Sequence, residues 1–304
     1  MALLAALSLR PSATVSSRGA PRLGRSTEWH ESTLEEMRWE RADTSSRRWA
    51  IWGTLCGALA ALVLFAPAAW LASSVASGTG GRVILADASG SIWNGSAVAV
   101  LAGGEGSRDA RALPGRIEWK LRPALNGLKI ELAQDCCISE RALLTVTPGI
   151  GRVSVKLHGA PGWIGQWPAQ WLAGLGTPWN TLQLGGALRL SSPDGIALHG
   201  AKGRWRVDGS ATLDLLDVSS RVSTLDRLGS YRLSLASDPG NAGRARLELS
   251  TTDGALQLSG SGEIGAGGVR FRGEASAQGD PAPLQNLLNI IGRRDGARSV
   301  IVIG

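Results

Sequence analysis

The chain has 304 residues, of which 19% are charged, and its net charge is +7. Arginine carries that charge far more than lysine and is scattered along the chain, which excludes the concentrated basic face that nucleic-acid binding needs. The 41 glycines and 12 tryptophans, against two Phe and one Tyr, point to short strands and tight turns in one large domain or two small ones.

In chain order, residues 1–48 mix Arg, Ser, Thr, Pro and Glu with few aliphatics and read as a basic, disordered cytoplasmic tail. Within it, Glu28 to Glu40 has the composition of a charged helix. Met37 is an alternative start that would leave a short basic leader, Arg38 to Arg48; N-terminal sequencing decides, and peptides from residues 2–36 would exclude it.

Trp49 to Ala72 contains no charged residue and is long enough for a helix to cross roughly 30 Å of hydrocarbon. Trp49 and Trp52 mark one interface and Trp70 the other. Arg47 and Arg48 abut the first end, and the nearest basic residue beyond the second is Arg82. The positive-inside rule then predicts a single-pass membrane protein with its N-terminus in the cytoplasm and the bulk of the chain outside it. The rival reading is a signal peptide cut after Ala66-Pro67-Ala68; proline in that site and the continuation of the apolar run to Leu71 argue against it. Ser73 to Gly81 reads as a flexible linker, and 82–304 as the periplasmic domain.

From Arg82 the hydropathy period is mostly two. Ile117, Trp119 and Leu121 alternate with Glu118, Lys120 and Arg122; Leu128, Ile130 and Leu132 with Lys129 and Glu131; Val153, Val155 and Leu157 with Arg152, Ser154 and Lys156. Leu182, Leu184, Gly186, Leu188 and Leu190 share one face, and the pattern recurs at Leu247 and Leu249 and at Val269 and Phe271. Each run reads as a half-buried antiparallel strand. Asn94-Gly95, Pro193-Asp194-Gly195 and Asp253-Gly254 are turn signals, Asn94-Gly95 suiting a type I′ hairpin anchored by Trp93. The expected fold is mainly β: a single transmembrane helix, then a curved antiparallel sheet, half-open barrel or sandwich-like, with two short helices. One helix is expected where Trp163, Trp167 and Trp171 recur every fourth residue, to plug the β core or lean on lipid. The other carries Leu284, Leu287, Leu288 and Ile291, starts after Asp280 and Pro283, and stops at Gly292; Val300 to Ile303 then forms a last strand.

No constellation for catalysis stands out. His158 and His199 are isolated, no serine sits in a G-x-S-x-G elbow, and no lysine completes a phosphate-binding loop. Gly260, Gly262 and Gly265 spell G-x-G-x-x-G, but with no following helix to present to a pyrophosphate. Acidic residues stand singly, so no metal site is expected. On a regular strand, Cys136 and Cys137 would point to opposite faces and form one buried and one edge thiol. These observations lead to no enzyme, no cofactor and no nucleic-acid partner.

Gly90, Ile92, Trp93, Asn94 and Gly95 lie in the segment GSIWNGSA, and Trp119, Leu121 and Pro123 in IEWKLRP, with Gly127 closing the next turn. A membrane anchor, a G-x-[IVL]-W-x-G-x-A hairpin, a W-x-L-x-P strand and a Gly-rich β domain, in that order, resemble the type II secretion system protein N family over residues 49–304. Leu284 to Leu288 followed by Gly292 to Gly296 is similar to that family's ending. The long N-terminal tail departs from it. The resemblance implies an accessory inner-membrane component of the machine that exports folded proteins from the periplasm. Its partners would be the other inner-membrane platform subunits, with the outer-membrane secretin a further candidate, and the lipid bilayer. It supplies no catalytic residue, and its motif residues are expected to be structural. The competing reading is a lipid-binding or lipid-transport protein of the cell envelope, similar to AsmA-type proteins, with an apolar inner sheet face. Charged substitution of Leu188 or Phe271 is the expected discriminator.

Overall fold

The structure, a computed structural model, describes residues 29–304 except 202–203, 239, 242 and 266–267, and side chains from residue 47 onward except that of Arg204. Expectations for residues 1–28 lie outside the described residues. Two units are distinguished, Met1–Ala60 and Ala61–Gly304.

In the first unit the described backbone belongs to helix α1 (Trp29–Leu64), so the basic stretch before Trp49 is helical from Trp29. Trp49 and Trp52 are exposed on it, at 77% and 63%, as are Arg47 and Arg48. The apolar run Trp49 to Ala72 is not one helix. α1 stops at Leu64, Pro67 adopts an extended conformation, and a second helix, α2 (Ala68–Gly78), begins. The physical reason is Pro67, whose ring forbids helical continuation and disfavours it in the preceding residue. From Trp49 to Leu64 the helix is about 24 Å long at 1.5 Å per residue, against the roughly 30 Å of a hydrocarbon core. Among the described residues, no helix is long and apolar enough to cross a membrane.

In the second unit, α2 replaces the expected flexible linker. Ala68, Leu71, Ala72, Val75, Ala76 and Thr79 are buried or half-buried at helical spacing, while Ser73, Ser74 and Ser77 are exposed. The serine hydroxyls donate back to carbonyls three or four residues earlier, which satisfies them within the helix. The small residues of the inner stripe let α2 lie against strand β1 (Val83–Gly90).

The strands after β1 are β2 (Asn94–Ala102), β3 (Ala110–Ala112), β4 (Ile117–Ala124), β5 (Gly127–Ala133), β6 (Ala142–Gly149), β7 (Arg152–Leu157) and β8 (Trp163–Pro168). A 3₁₀ turn (Ala169–Leu175) and α3 (Trp179–Leu182) intervene. Then follow β9 (Leu184–Ser191), β10 (Ile196–Ala201), β11 (Arg204–Ser220), β12 (Gly229–Ser237), β13 (Ala245–Gly254), β14 (Leu256–Gly265) and β15 (Gly268–Ala277). After α4 (Gln285–Ile291), β16 (Arg293–Asp295) and β17 (Arg298–Ile303) close the order.

Among the described residues these 17 strands form one antiparallel sheet that is not closed. β1 pairs only with β2, and β16 only with β17. The long β11 joins the two halves: Arg204 to Gly209 pairs with β10, and Thr212 to Ser220 with β9, its other side with β12.

The register explains the alternation. Leu121, Ile130, Leu144, Leu157 and Ile196 stand directly opposite one another across five strands. Leu190, Leu213, Leu233, Leu249, Gly260, Gly273 and Ile301 do so in the second half. Trp205, Val207, Ala211, Leu213 and Leu215 alternate along β11, so both rows belong to one apolar face. Helical elements cover part of that face. Leu284, Leu287 and Leu288 of the α4 region are at most 1% exposed and pack with Leu188, Leu228, Tyr231 and Leu256. The predicted C-terminal helix and last strand are both present.

Three local expectations are corrected. Trp163 and Trp167 lie on β8, and only Trp171 is in a helical turn. Pro168 ends the segment as an extended strand, and an irregularity between Trp163 and Gly165 breaks the alternation, so that Trp163 stands opposite Ser191 and Trp167 opposite Leu188. Leu182 belongs to α3, not to the strand that follows. Cys136 and Cys137 are disulfide-bonded to each other. They sit in a turn after β5, where strand alternation does not apply. Gly260 and Gly262 lie within β14, where a Cβ at either would meet Phe271 of the neighbouring strand. Close packing of that ring explains the glycines that mimic a dinucleotide fingerprint.

Tyr231 is 2% exposed and donates to the Leu256 carbonyl at 3.1 Å. Burial holds its phenol well above the usual range, against a smaller opposing effect of Arg227. The folded state therefore favours the neutral phenol. The stabilisation is complete below about pH 10, the unfolded value, and is lost as pH rises above it. Because Tyr231 is the only tyrosine, phenolate absorbance reads this residue alone. It is expected to appear together with unfolding and not at the ordinary midpoint.

Candidate functional site

The motif residues converge where the chain enters the sheet. Gly90 ends β1 with φ +87°, and a Cβ there would lie 2.5 Å from the Asn94 carbonyl oxygen. The turn itself is Ser91-Ile92-Trp93, with the Ser91 amide donating to the Asn94 carbonyl at 2.9 Å. Asn94 and Gly95 are the first residues of β2, not the centre of a type I′ turn. Gly95 is required for space: a Cβ would lie 2.6 Å from the Ser89 carbonyl oxygen and 2.7 Å from Cζ2 of Trp119.

Trp119 is 3% exposed and packs with Ala68, Ala97, Leu71, Leu85 and Leu121. Its indole Nε1 donates to the carbonyls of Ser91 and Ile92 at 3.3 and 3.2 Å. The Leu121 amide donates to the Trp93 carbonyl at 2.7 Å. β4 thus holds the β1–β2 turn from beneath. Pro123, by contrast, is exposed near the end of β4, opposite Leu128.

The turn in turn grips the incoming chain. The Ile92 amide donates to the Ala66 carbonyl at 2.9 Å, Pro67 bridges to Ser91, and the Trp93 indole donates to the Val63 carbonyl at 2.8 Å. Ala66 and Ala68 are 2% and 1% exposed. Both small side chains are thus enclosed where the chain meets the turn. Sequence reasoning gave the strand and turn residues but missed Ala66, Pro67 and Ala68, which lay inside the apolar run. It also missed Arg116, which donates to the Asp87 carboxylate and backbone carbonyl and to Ser89, pinning an irregularity in β1 where Asp87 takes φ +50°. Arg47, Arg48, Trp49 and Trp52 lie on α1 in the first unit, and Trp70 is half-exposed on α2 in the second.

The clasp is held by amides, carbonyls and indoles around small apolar side chains, with the Arg116–Asp87 pair beside it, an arrangement that can hold chain. Among the described residues, no group of three or more His, Cys, Asp or Glu is gathered to hold a metal ion. His199 contacts Asp208 at 3.0 Å on the strand surface, and Arg206 shares the same carboxylate.

A family model described as type II secretion system (T2SS), protein N, matches residues 81–302. No curated protein and no solved structure matches the chain.

Proposed function

The chain belongs to the type II secretion system protein N family, and from that premise we propose that it is an accessory inner-membrane component of the secretion machine, acting through protein contacts in the periplasm. Membership gives it a role in type II secretion; the family is one of secretion-machinery components, not of enzymes. In this reading the apolar part of α1 is the single membrane anchor, with Arg47 and Arg48 at the cytoplasmic boundary. Its shortfall in length is met by local thinning of the bilayer and by arginine side chains reaching the headgroups. The sheet curves in the periplasm as a half-open structure.

The observation that carries the proposal is the open sheet. β1 and β16 each have an unpaired side, and such edges accept a strand from a partner by main-chain hydrogen bonding. The clasp supports it by fixing edge strand β1 to the segment that leaves the anchor. Cross-linking in membranes, followed by identification of partners, tests the proposal. Platform subunits or the secretin are expected among the adducts; their consistent absence from a correctly inserted protein would contradict it.

The second reading, lipid binding, is favoured by the half-covered apolar face. Near the β6–β7 and β10–β11 hairpins it opens into a depression of about 640 Å³ bordered by Pro148, Arg152, Val153, Gly200 and Trp205. Leu188 and Phe271 are unsuitable discriminators, since both are under 9% exposed and a charge there would unfold the sheet. Leu198 and Trp205, exposed by 40% and 52%, serve instead. If the face holds lipid, Leu198→Glu or Trp205→Glu releases co-purified phospholipid, detected by mass spectrometry, with little change in Tm. A lipid-free preparation of the unaltered protein would dispose of this reading.

A further inference from the structure

We propose that the β4–β5 and β6–β7 hairpin tips rest in the headgroup region of the membrane from which the anchor emerges, an anionic lipid surface being their partner. This inference depends on reading α1 as the anchor.

The tips carry the wrong residues for water. Leu125 and Ile150 stand at the tips with 106% and 105% exposure, as open as side chains on an extended chain. Turn tips ordinarily carry Gly, Asn, Asp, Pro or Ser, and the neighbouring Asn126-Gly127 and Gly151 already serve the turns. Nothing in the geometry of either turn calls for the aliphatic residue.

Antiparallel pairing places both tips at the clasp end of the sheet. β2 starts beside the Ser91–Trp93 turn, and Asn94 stands opposite Lys120. β4 therefore runs toward that turn and ends at Ala124. β5 returns and β6 runs parallel to β4, so Ile150 comes to the same end. There the chain arrives through Leu64 and Phe65, which are 63% and 80% exposed. The end of the second unit that carries Leu64 and Phe65 thus also presents two further aliphatic points.

Charge fits an anionic surface. Arg122 and Lys129 are direct cross-strand neighbours, an arrangement of like charges that weakens a sheet. Glu131 contacts Arg122 at 3.7 Å and is shared with Arg141. Among the described residues, Lys129 and Arg152 have no carboxylate partner. Exposed aliphatic tips with cations on the strands that lead to them are the pattern of an interfacial lipid contact.

The test uses the full chain in proteoliposomes containing phosphatidylglycerol, under non-reducing conditions that leave the Cys136–Cys137 disulfide closed. An environment-sensitive fluorophore is placed at Leu125→Cys or Ile150→Cys in a Cys56→Ser background, with Ser259→Cys, on the polar face of β14, as the aqueous control. Both tip labels are expected to shift to the blue and to be quenched by lipid carrying a headgroup-level quencher, less so in purely zwitterionic vesicles, while the control stays aqueous. Because both sites are fully exposed, Tm should match the parent and a folding defect is separable. A label on native Cys56 reads the anchor. If Cys56 is quenched by a deep quencher but the tips stay aqueous, the tip proposal is wrong and the anchor stands; if Cys56 itself stays aqueous, the anchor reading fails with it. Tip labels that change only when secretion subunits are added would also overturn the lipid assignment.

Discussion

Replacing Trp119 by alanine is expected to destabilise the second unit by about 3–5 kcal/mol, the range for truncating a large buried aromatic residue. In a unit of this size that lowers Tm by roughly 10 °C. The indole is 3% exposed, fills the space above Gly95, and donates to both carbonyls of the turn that grips Ala66 and Pro67. Its loss leaves a cavity beneath the turn and frees those carbonyls. Trp205→Ala, at a half-exposed position, is the comparison; equal losses would mean that Trp119 has no special place. Gly95→Ala is a coupled test. The added Cβ meets Trp119 at 2.7 Å and also the Ser89 and Ser91 carbonyl oxygens at 2.6 and 2.9 Å. Removing the indole relieves the first contact but not the others, so the double variant should lose less than the sum of the singles.

Leu288→Ala is expected to cost about 2–5 kcal/mol, the range for a buried leucine whose surroundings cannot collapse. The side chain is 0% exposed, and its carbonyl accepts a hydrogen bond from the fully buried Ser299 hydroxyl at 2.7 Å. The residue therefore ties α4 both to the apolar face and to β17. Leu288→Asp should prevent stable folding, because it would bury a carboxylate at a fully enclosed position among apolar side chains. Ile290→Ala, on the exposed side of the same short helix, should cost about 1 kcal/mol or less. Thermal and urea unfolding of the three variants tests the assignment of α4 as the cap of the apolar face.

The sheet was legible because its strands are half-buried. Val153, Val155 and Leu157 announce a strand through their polar neighbours, and the register puts them where that alternation requires. α4 was legible for the same reason at a different period. What was hidden lay where one pattern serves two structures. Hydropathy adds Trp49 to Leu64 and Ala68 to Ala72 into one span and is blind to the corner at Pro67. Ser73 to Gly78 looks like linker because its serines face water, although the Ala and Val positions between them form a helical stripe. Asn94-Gly95 looks like a turn, but its glycine is selected by Trp119, twenty-four positions on and packed against it only in three dimensions. The roles of the clasp residues could be guessed as structural, whereas their grip on Ala66 and Pro67 needed the fold.

The direct test of the central claim, a periplasmic sheet tethered by the apolar helix, is the sidedness of Gly304. A reporter tag after Gly304 in intact cells should be reached by membrane-impermeant reagent once the outer membrane is opened, while the inner membrane stays sealed and a cytoplasmic control stays protected. A tag reached only after the inner membrane is lysed would place the sheet in the cytoplasm and contradict the account.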